Sequence, residues 1–210
     1  MNHTKIEWCD FTVNPIKGLC KYACSYCYAR RMYKRFHWDE EVRLDMNQLD
    51  KIAKIKTPSK IFVCSTHDLF GDWIPDSWIF KIITELHRYP QHTFLLLTKN
   101  PQRYKNFSFR DNFWLGQTVL SKEIFVYLPD FKNIKFISFE PLLNENIGDY
   151  YYKGINWFII GGLTPKPKHT IKAVESILLQ ADRFGVPVFI KDNTHYPKER
   201  KEFPQLELFR

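Results

Sequence analysis

At 210 residues the chain is long enough for one domain with a sizeable core and short for two. Its 44% hydrophobic and 26% charged residues are globular proportions, and no apolar run reaches the roughly 18 residues a membrane span needs. The opening MNHTKIEWCDF lacks a basic segment followed by an apolar one, so no secretory signal is expected and the location predicted is cytoplasmic. A net charge of +8 suits a polyanionic partner such as nucleic acid, although Lys and Arg are scattered along the chain.

In chain order, a first strand is predicted near 11–14, followed by short helices over 29–36 and 49–55. Near-continuous apolar runs then mark strands at 60–65 (KIFVCS), 93–98 (TFLLLT), 113–118 (FWLGQT), 135–139 (KFISF), 157–161 (WFIIG) and 186–190 (VPVFI). Such runs suit parallel strands buried on both faces. Between them, 76–88 places Ile79, Ile82, Ile83 and Leu86 on one helical face, with Asp76 or Ser77 as the expected N-cap. A further helix is expected at 121–128, and 171–184 repeats the pattern with Val174, Ile177, Leu178 and Ala181.

Strands alternating with helices predict an α/β fold with a parallel sheet. A closed eight-unit barrel takes about 250 residues. The expectation is therefore a partial (β/α) barrel of six to seven parallel strands, a single domain over 1–210 with a C-terminal tail over 192–210. In such folds chemistry sits at the C-terminal strand ends.

Three of the five cysteines, Cys20, Cys24 and Cys27, form a C-x3-C-x2-C loop just beyond the first strand. Clustered thiols in a reducing compartment bind metal or do redox chemistry more often than they form disulfides. Three thiolates can ligate three irons of a cubane cluster and leave the fourth iron open, whereas a closed cluster normally takes four cysteines. The alternative is a structural zinc site of three cysteines and a histidine. Zinc sites usually pair C-x2-C with a second such pair, which is missing here.

With Tyr26 as the aromatic residue before the third cysteine, this loop resembles the signature of the radical S-adenosylmethionine superfamily. Further segments resemble a radical-SAM-like family found in phages and bacteria and of unknown function. They are KIEW at 5–8, NP at 14–15, STHDLF at 65–70, PQHTF at 90–94, LTKNP at 97–101, SFEPLL at 138–143, IGG at 160–162 and VFIK at 188–191. The resemblance runs from about residue 4 to 192, and Leu163 stands where an acidic residue is common.

The resemblance implies a 4Fe–4S cluster on Cys20, Cys24 and Cys27, with S-adenosylmethionine chelated at the open iron. One-electron reduction would then yield a 5′-deoxyadenosyl radical that abstracts hydrogen from a substrate. Tyr26 would flank the adenine. Strand-end polar residues would hold the cofactor: Ser65 or Asp68 at the ammonium, Glu140 at a ribose hydroxyl or the ammonium, and Gln117 nearby. Lys99 and Lys191 would meet the cofactor carboxylate or a substrate phosphate, and Gly161 would admit a close backbone approach. For the acids the alternative role is capping a helix or pairing with a lysine. His67 and His92 read as structural.

The function expected is an enzyme that modifies or repairs a nucleobase in DNA or RNA. An electron donor of flavodoxin or ferredoxin type is implied, and a partner protein completing the site is a further expectation. Radical chemistry on a peptide or small molecule, or a metal-stabilised nucleic-acid-binding module without catalysis, are the alternatives.

Overall fold

In the computed structural model, which describes residues 3–120, 126–143 and 154–205, the apolar runs form strands and the periodic segments form helices. Strand β1 is Phe11–Val13, and a two-residue ribbon pairs β2 (Ile16–Lys17) antiparallel with β3 (Arg43–Leu44). Helix α1 (Tyr28–Phe36) lies between β2 and β3. Then come β4 (Lys60–Val63), α2 (Asp76–Leu86), β5 (Thr93–Thr98), β6 (Phe113–Thr118), β7 (Lys135–Leu142), β8 (Trp157–Gly162), α3 (Ile171–Phe184) and β9 (Val188–Ile190).

Seven strands form one sheet in the order β1-β4-β5-β6-β7-β8-β9. The registers joining β1 to β4, β4 to β5, β6 to β7, β7 to β8 and β8 to β9 are all parallel. Strands β1 and β9 are the two edges of the sheet. No helix among the described residues is long and apolar enough to cross a membrane.

The chain forms two compact units, Met1–Trp114 and Leu115–Arg210, with the boundary inside β6. Each unit has its own core. In the first, α2 buries Ile79, Ile82, Ile83 and Leu86, the face its periodicity marks. In the second, α3 buries Ala173, Val174, Ile177, Leu178 and Ala181 with Ile137, Phe139, Phe158, Ile160, Val188 and Ile190.

Several local expectations are corrected. The N-cap of α2 is Pro75, not Asp76 or Ser77. Its extended backbone leads into the helix, and Asp76 stands in the first turn paired with Arg103. The segment predicted as a helix over 49–55 is a 3-10 helix, Met46–Lys54, burying Leu49 and Ile52. The helix predicted at 121–128 lies mostly outside the described residues, and 126–128 carry no helix. Strand β7 does not stop at Pro141. The register shifts between Phe139 and Leu142, where proline offers no N–H, and pairing resumes with Leu142 opposite Gly162. The segment after β9 folds back on it: Ile190 N donates to Arg200 O, Glu202 N donates to Val188 O, and Trp157 Nε1 donates to Glu202 O.

Candidate functional site

The first unit gathers Cys20, Cys24, Cys27, Tyr26, Ser65, Asp68 and Lys99. Gly18 opens the cysteine loop at φ +93, where a Cβ would lie 2.2 Å from the Glu41 carbonyl oxygen, so only glycine fits. Two turns follow, Ala23 N to Cys20 O and Cys27 N to Cys24 O. Ala23 adopts φ 50 between the first two cysteines, a left-handed conformation that costs a non-glycine residue about 1 kcal/mol. Such strain persists where neighbouring side chains must be aimed.

All five cysteines are free thiols, and Cys20, Cys24 and Cys27 line one small cavity with Arg30 and Thr66. Cys27 is the N-cap of α1. Burial pushes the Cys20 thiol up, while the backbone amides of Asp68 and Tyr22 hydrogen-bond its sulfur and oppose that shift. Arg30 holds the loop by donating to the Cys20 carbonyl at 3.0 Å.

Among the described residues no three His, Cys, Asp or Glu side chains converge on a point that could hold one metal ion. A zinc ion demands such convergence, with donors about 2.0–2.3 Å from one centre. A cubane instead takes each thiolate on a different iron. The zinc alternative also needs a histidine, and both ring nitrogens of His67 are engaged, by the Gly18 carbonyl at 3.1 Å and the Trp73 indole at 2.9 Å. The three thiols share one loop and one cavity.

The surrounding loops are tied by side chains at the strand ends. Asn14, just past β1, accepts from Ser65 Oγ at 3.2 Å and from Thr66 N and Oγ1, both at 3.1 Å. The Tyr28 hydroxyl donates to the Ser65 carbonyl at 2.8 Å. Asp68 accepts on Oδ1 from Phe70 N at 3.0 Å and Thr98 Oγ1 at 2.7 Å, and on Oδ2 from Lys99 N at 2.8 Å. Burial pushes the Asp68 carboxyl up and these bonds hold it down. Asp68 is thus a clamp between the β4 and β5 loops. The Lys99 ammonium lies 5.9 Å from the Tyr26 ring centroid. The Tyr26 hydroxyl is buried with no partner beyond a contact with the Cys24 thiol, and burial raises its pKa.

The second unit gathers Glu140, Gly161 and Lys191 at the ends of β7, β8 and β9. Lys191 Nζ forms an ion pair with Glu140 Oε1, with side-chain exposures of 12% and 26%. A Cβ at Gly161 would fall 2.8 Å from Glu140 Cγ and Cδ, so this glycine makes the room that lets the pair form. Each charge neutralises the other, which is the pairing role weighed against cofactor binding. Asn193 grips Gly162 reciprocally, accepting from its N–H at 3.0 Å and donating to its carbonyl at 2.8 Å.

Gln117 joins neither group. It is level with Ile137, a residue of the α3 core, and its Oε1 accepts the Tyr127 amide at 2.7 Å. It anchors the segment after β6 instead of reaching a strand-end site. Sequence reasoning assigned no role to Asn14, Thr66, Trp73 or Asn193; the partners of Asn14, Thr66 and Asn193 lie tens of residues away. The Asn-Pro pair at 14–15 and the STHDLF segment at 65–70 were the available signals. The structural reading of His67 matches its two hydrogen bonds.

Comparison with known proteins adds a distant relative. Over 73 residues the chain is 36% identical to the uncharacterized protein MJ0683 of Methanocaldococcus jannaschii, a match covering 33% of this chain and 28% of that protein. The alignment thus spans about a quarter of the relative's length. No solved structure matches the chain. A family model matches residues 3–205, nearly the full length, and the chain belongs to that family, described as "Protein of unknown function (DUF5131)".

Proposed function

We propose that this chain is a radical S-adenosylmethionine enzyme acting on a nucleobase of DNA or RNA. The observation that carries the reading is the loop of three free thiols, C-x3-C-x2-C, opening onto one cavity at the N-terminus of α1. When bound there, a 4Fe–4S cluster would supply the electron that splits S-adenosylmethionine and starts hydrogen abstraction.

The chain's own residues have narrower tasks. Cys20, Cys24 and Cys27 are the ligands, and the amides of Asp68 and Tyr22 stabilise negative charge on the Cys20 sulfur. Arg30 fixes the loop backbone. Lys99 offers a cation beside Tyr26 for the carboxylate of the cofactor, while Asn14 and Ser65 line the approach. Asp68 acts as the brace that keeps the Lys99 backbone in place. The net charge of +8 supports a polyanionic substrate, and five free thiols suit a reducing cytoplasm where a flavodoxin or ferredoxin can serve as reductant.

The test is anaerobic reconstitution with iron and sulfide, followed by dithionite and S-adenosylmethionine. The expected result is about four irons per chain and production of 5′-deoxyadenosine, both lost in Cys24→Ala. Wild-type protein that takes up no iron, or a Cys24→Ala variant that still makes deoxyadenosine, overturns the assignment.

A further inference from the structure

The first unit holds a second cavity, a cleft of ≈ 750 Å³ whose lining includes Asn14 and Ser65. Its walls combine Lys5, Lys17 and Arg43 with Tyr28 and Trp38, and Asp39 is the single carboxylate among the lining residues. The cations are placed at a cost. The β2–β3 ribbon sets Lys17 directly opposite Arg43, and like charges directly opposite on paired strands repel. Arg43 is relieved by Asp39 at 2.5 Å, one residue serving one cation. Lys17 has no carboxylate within ion-pair distance among the described residues. Half-buried, it is disfavoured as a cation by desolvation, and Asp45 only partly compensates. A lysine held opposite an arginine and only partly compensated by Asp45 makes a place for an anion.

The aromatic wall says what else the anion carries. Tyr28 and Trp38 are 43% and 44% exposed, so part of each ring faces the cleft's solvent. Both are held rigid. The Tyr28 hydroxyl is tied to the Ser65 carbonyl, and Trp38 stacks on Phe36 at 5.4 Å with its edge against Tyr33 at 5.3 Å. Rigid exposed ring faces beside lysines are the means by which proteins hold unpaired bases, because a base in a duplex has no free face to offer. Tyr33 and Thr66 line both this cleft and the cysteine cavity, so the two adjoin.

We propose that this cleft binds single-stranded nucleic acid, with Lys17 and Arg43 on phosphates and Trp38 and Tyr28 stacked on unpaired bases. The inference deepens the nucleobase reading above and rests on it for the chemistry done there, but binding itself requires no cluster.

Fluorescence anisotropy of the full chain with a labelled oligonucleotide tests it, run across a salt series and competed by the matching duplex and by ATP. The single strand is expected to bind at least tenfold more tightly than the duplex and to resist equimolar ATP. Lys17→Gln should lower the slope of log K against log salt by about 0.7, the share of one phosphate contact. The same variant should melt no lower than wild type, since a like-charge pair is relieved. Trp38→Leu should weaken binding about tenfold. An unchanged salt slope in Lys17→Gln, equal affinity for the duplex, or full displacement by equimolar ATP would each overturn the proposal, the last by making the cleft a free-nucleotide site. Strand binding that persists in Cys24→Ala while wild type makes no deoxyadenosine sinks the enzyme reading alone. Deoxyadenosine formation without strand binding sinks this inference alone.

Discussion

The Trp73 indole N–H donates to His67 Nε2 at 2.9 Å, which fixes the His67 tautomer, because indole nitrogen can only donate. Nδ1 then carries the proton and gives it to the Gly18 carbonyl at 3.1 Å. Trp73 also meets Tyr22 in a T-shaped ring contact at 4.9 Å. One imidazole thus joins the residue two before Cys20 to a ring that braces the residue two after it. The relay requires neutral histidine, since a protonated ring would aim a donor at a donor.

That requirement makes stability depend on pH. Burial lowers the pKa of His67, and burial does the same for His87 (with Arg110 adding to it) and His92. Below about pH 6.5 the unfolded chain binds more protons at these positions than the folded one. Stability is therefore complete above that pH and is lost as pH falls through the window between the unfolded and folded values. Urea unfolding at pH 7.5, 6.5 and 5.5 should show a monotonic decline. His67→Phe keeps the ring volume but leaves the Gly18 carbonyl and the Trp73 N–H without partners. It should cost about 2 kcal/mol at pH 7.5, with a gap from wild type that narrows at pH 5.5. A gap that stays constant with pH would remove His67 from the relay.

Asp68 makes a second prediction, because the same residue was a candidate for holding a cofactor ammonium. Its two oxygens accept three hydrogen bonds from Phe70, Thr98 and Lys99. Asp68→Asn replaces one acceptor by an NH2 that faces donors. It should cost about 1–3 kcal/mol in urea unfolding, whether or not any cofactor is present. If instead stability is unchanged and only affinity for S-adenosylmethionine drops, Asp68 is a ligand-binding residue and not a brace.

How much of this was legible in the sequence depends on the range of the interaction. The strands at Thr93–Thr98 and Trp157–Gly162 announce themselves through unbroken apolar runs, and α3 through its period and its Thr170 cap, whose side chain accepts the Ala173 amide. The β2–β3 ribbon was not legible. Two residues a side carry no periodicity, and its existence follows from pairing across a 25-residue excursion through the cysteine loop and α1. The same holds at the site. The cysteines declare themselves by spacing, while Asp68 and Gln117 look like strand-end ligands until the amides they accept are seen. A carboxylate or amide past a strand reads the same locally whether it faces a ligand or a neighbouring loop. Lys17 shows the converse. Nothing in the string IKGL marks it, and its interest arises only from standing opposite Arg43.

Glu140 and Lys191 allow the sharpest division between bracing and binding. The two are joined across 51 positions in the chain, and Gly161 leaves the space they occupy. Removing one partner strands the other in a largely buried place, which is far more costly than replacing both. Glu140 keeps 26% side-chain exposure, so the loss is discounted to about 2 kcal/mol for Glu140→Gln or Lys191→Met alone. The double variant should recover most of that, giving a coupling energy of about 1 kcal/mol or more in a double-mutant cycle of urea unfolding. Additive single losses would show that the two charges act independently. In that case Lys191 returns as a candidate for a phosphate or carboxylate, because only a pair that stabilises itself is spared the need for a ligand's charge.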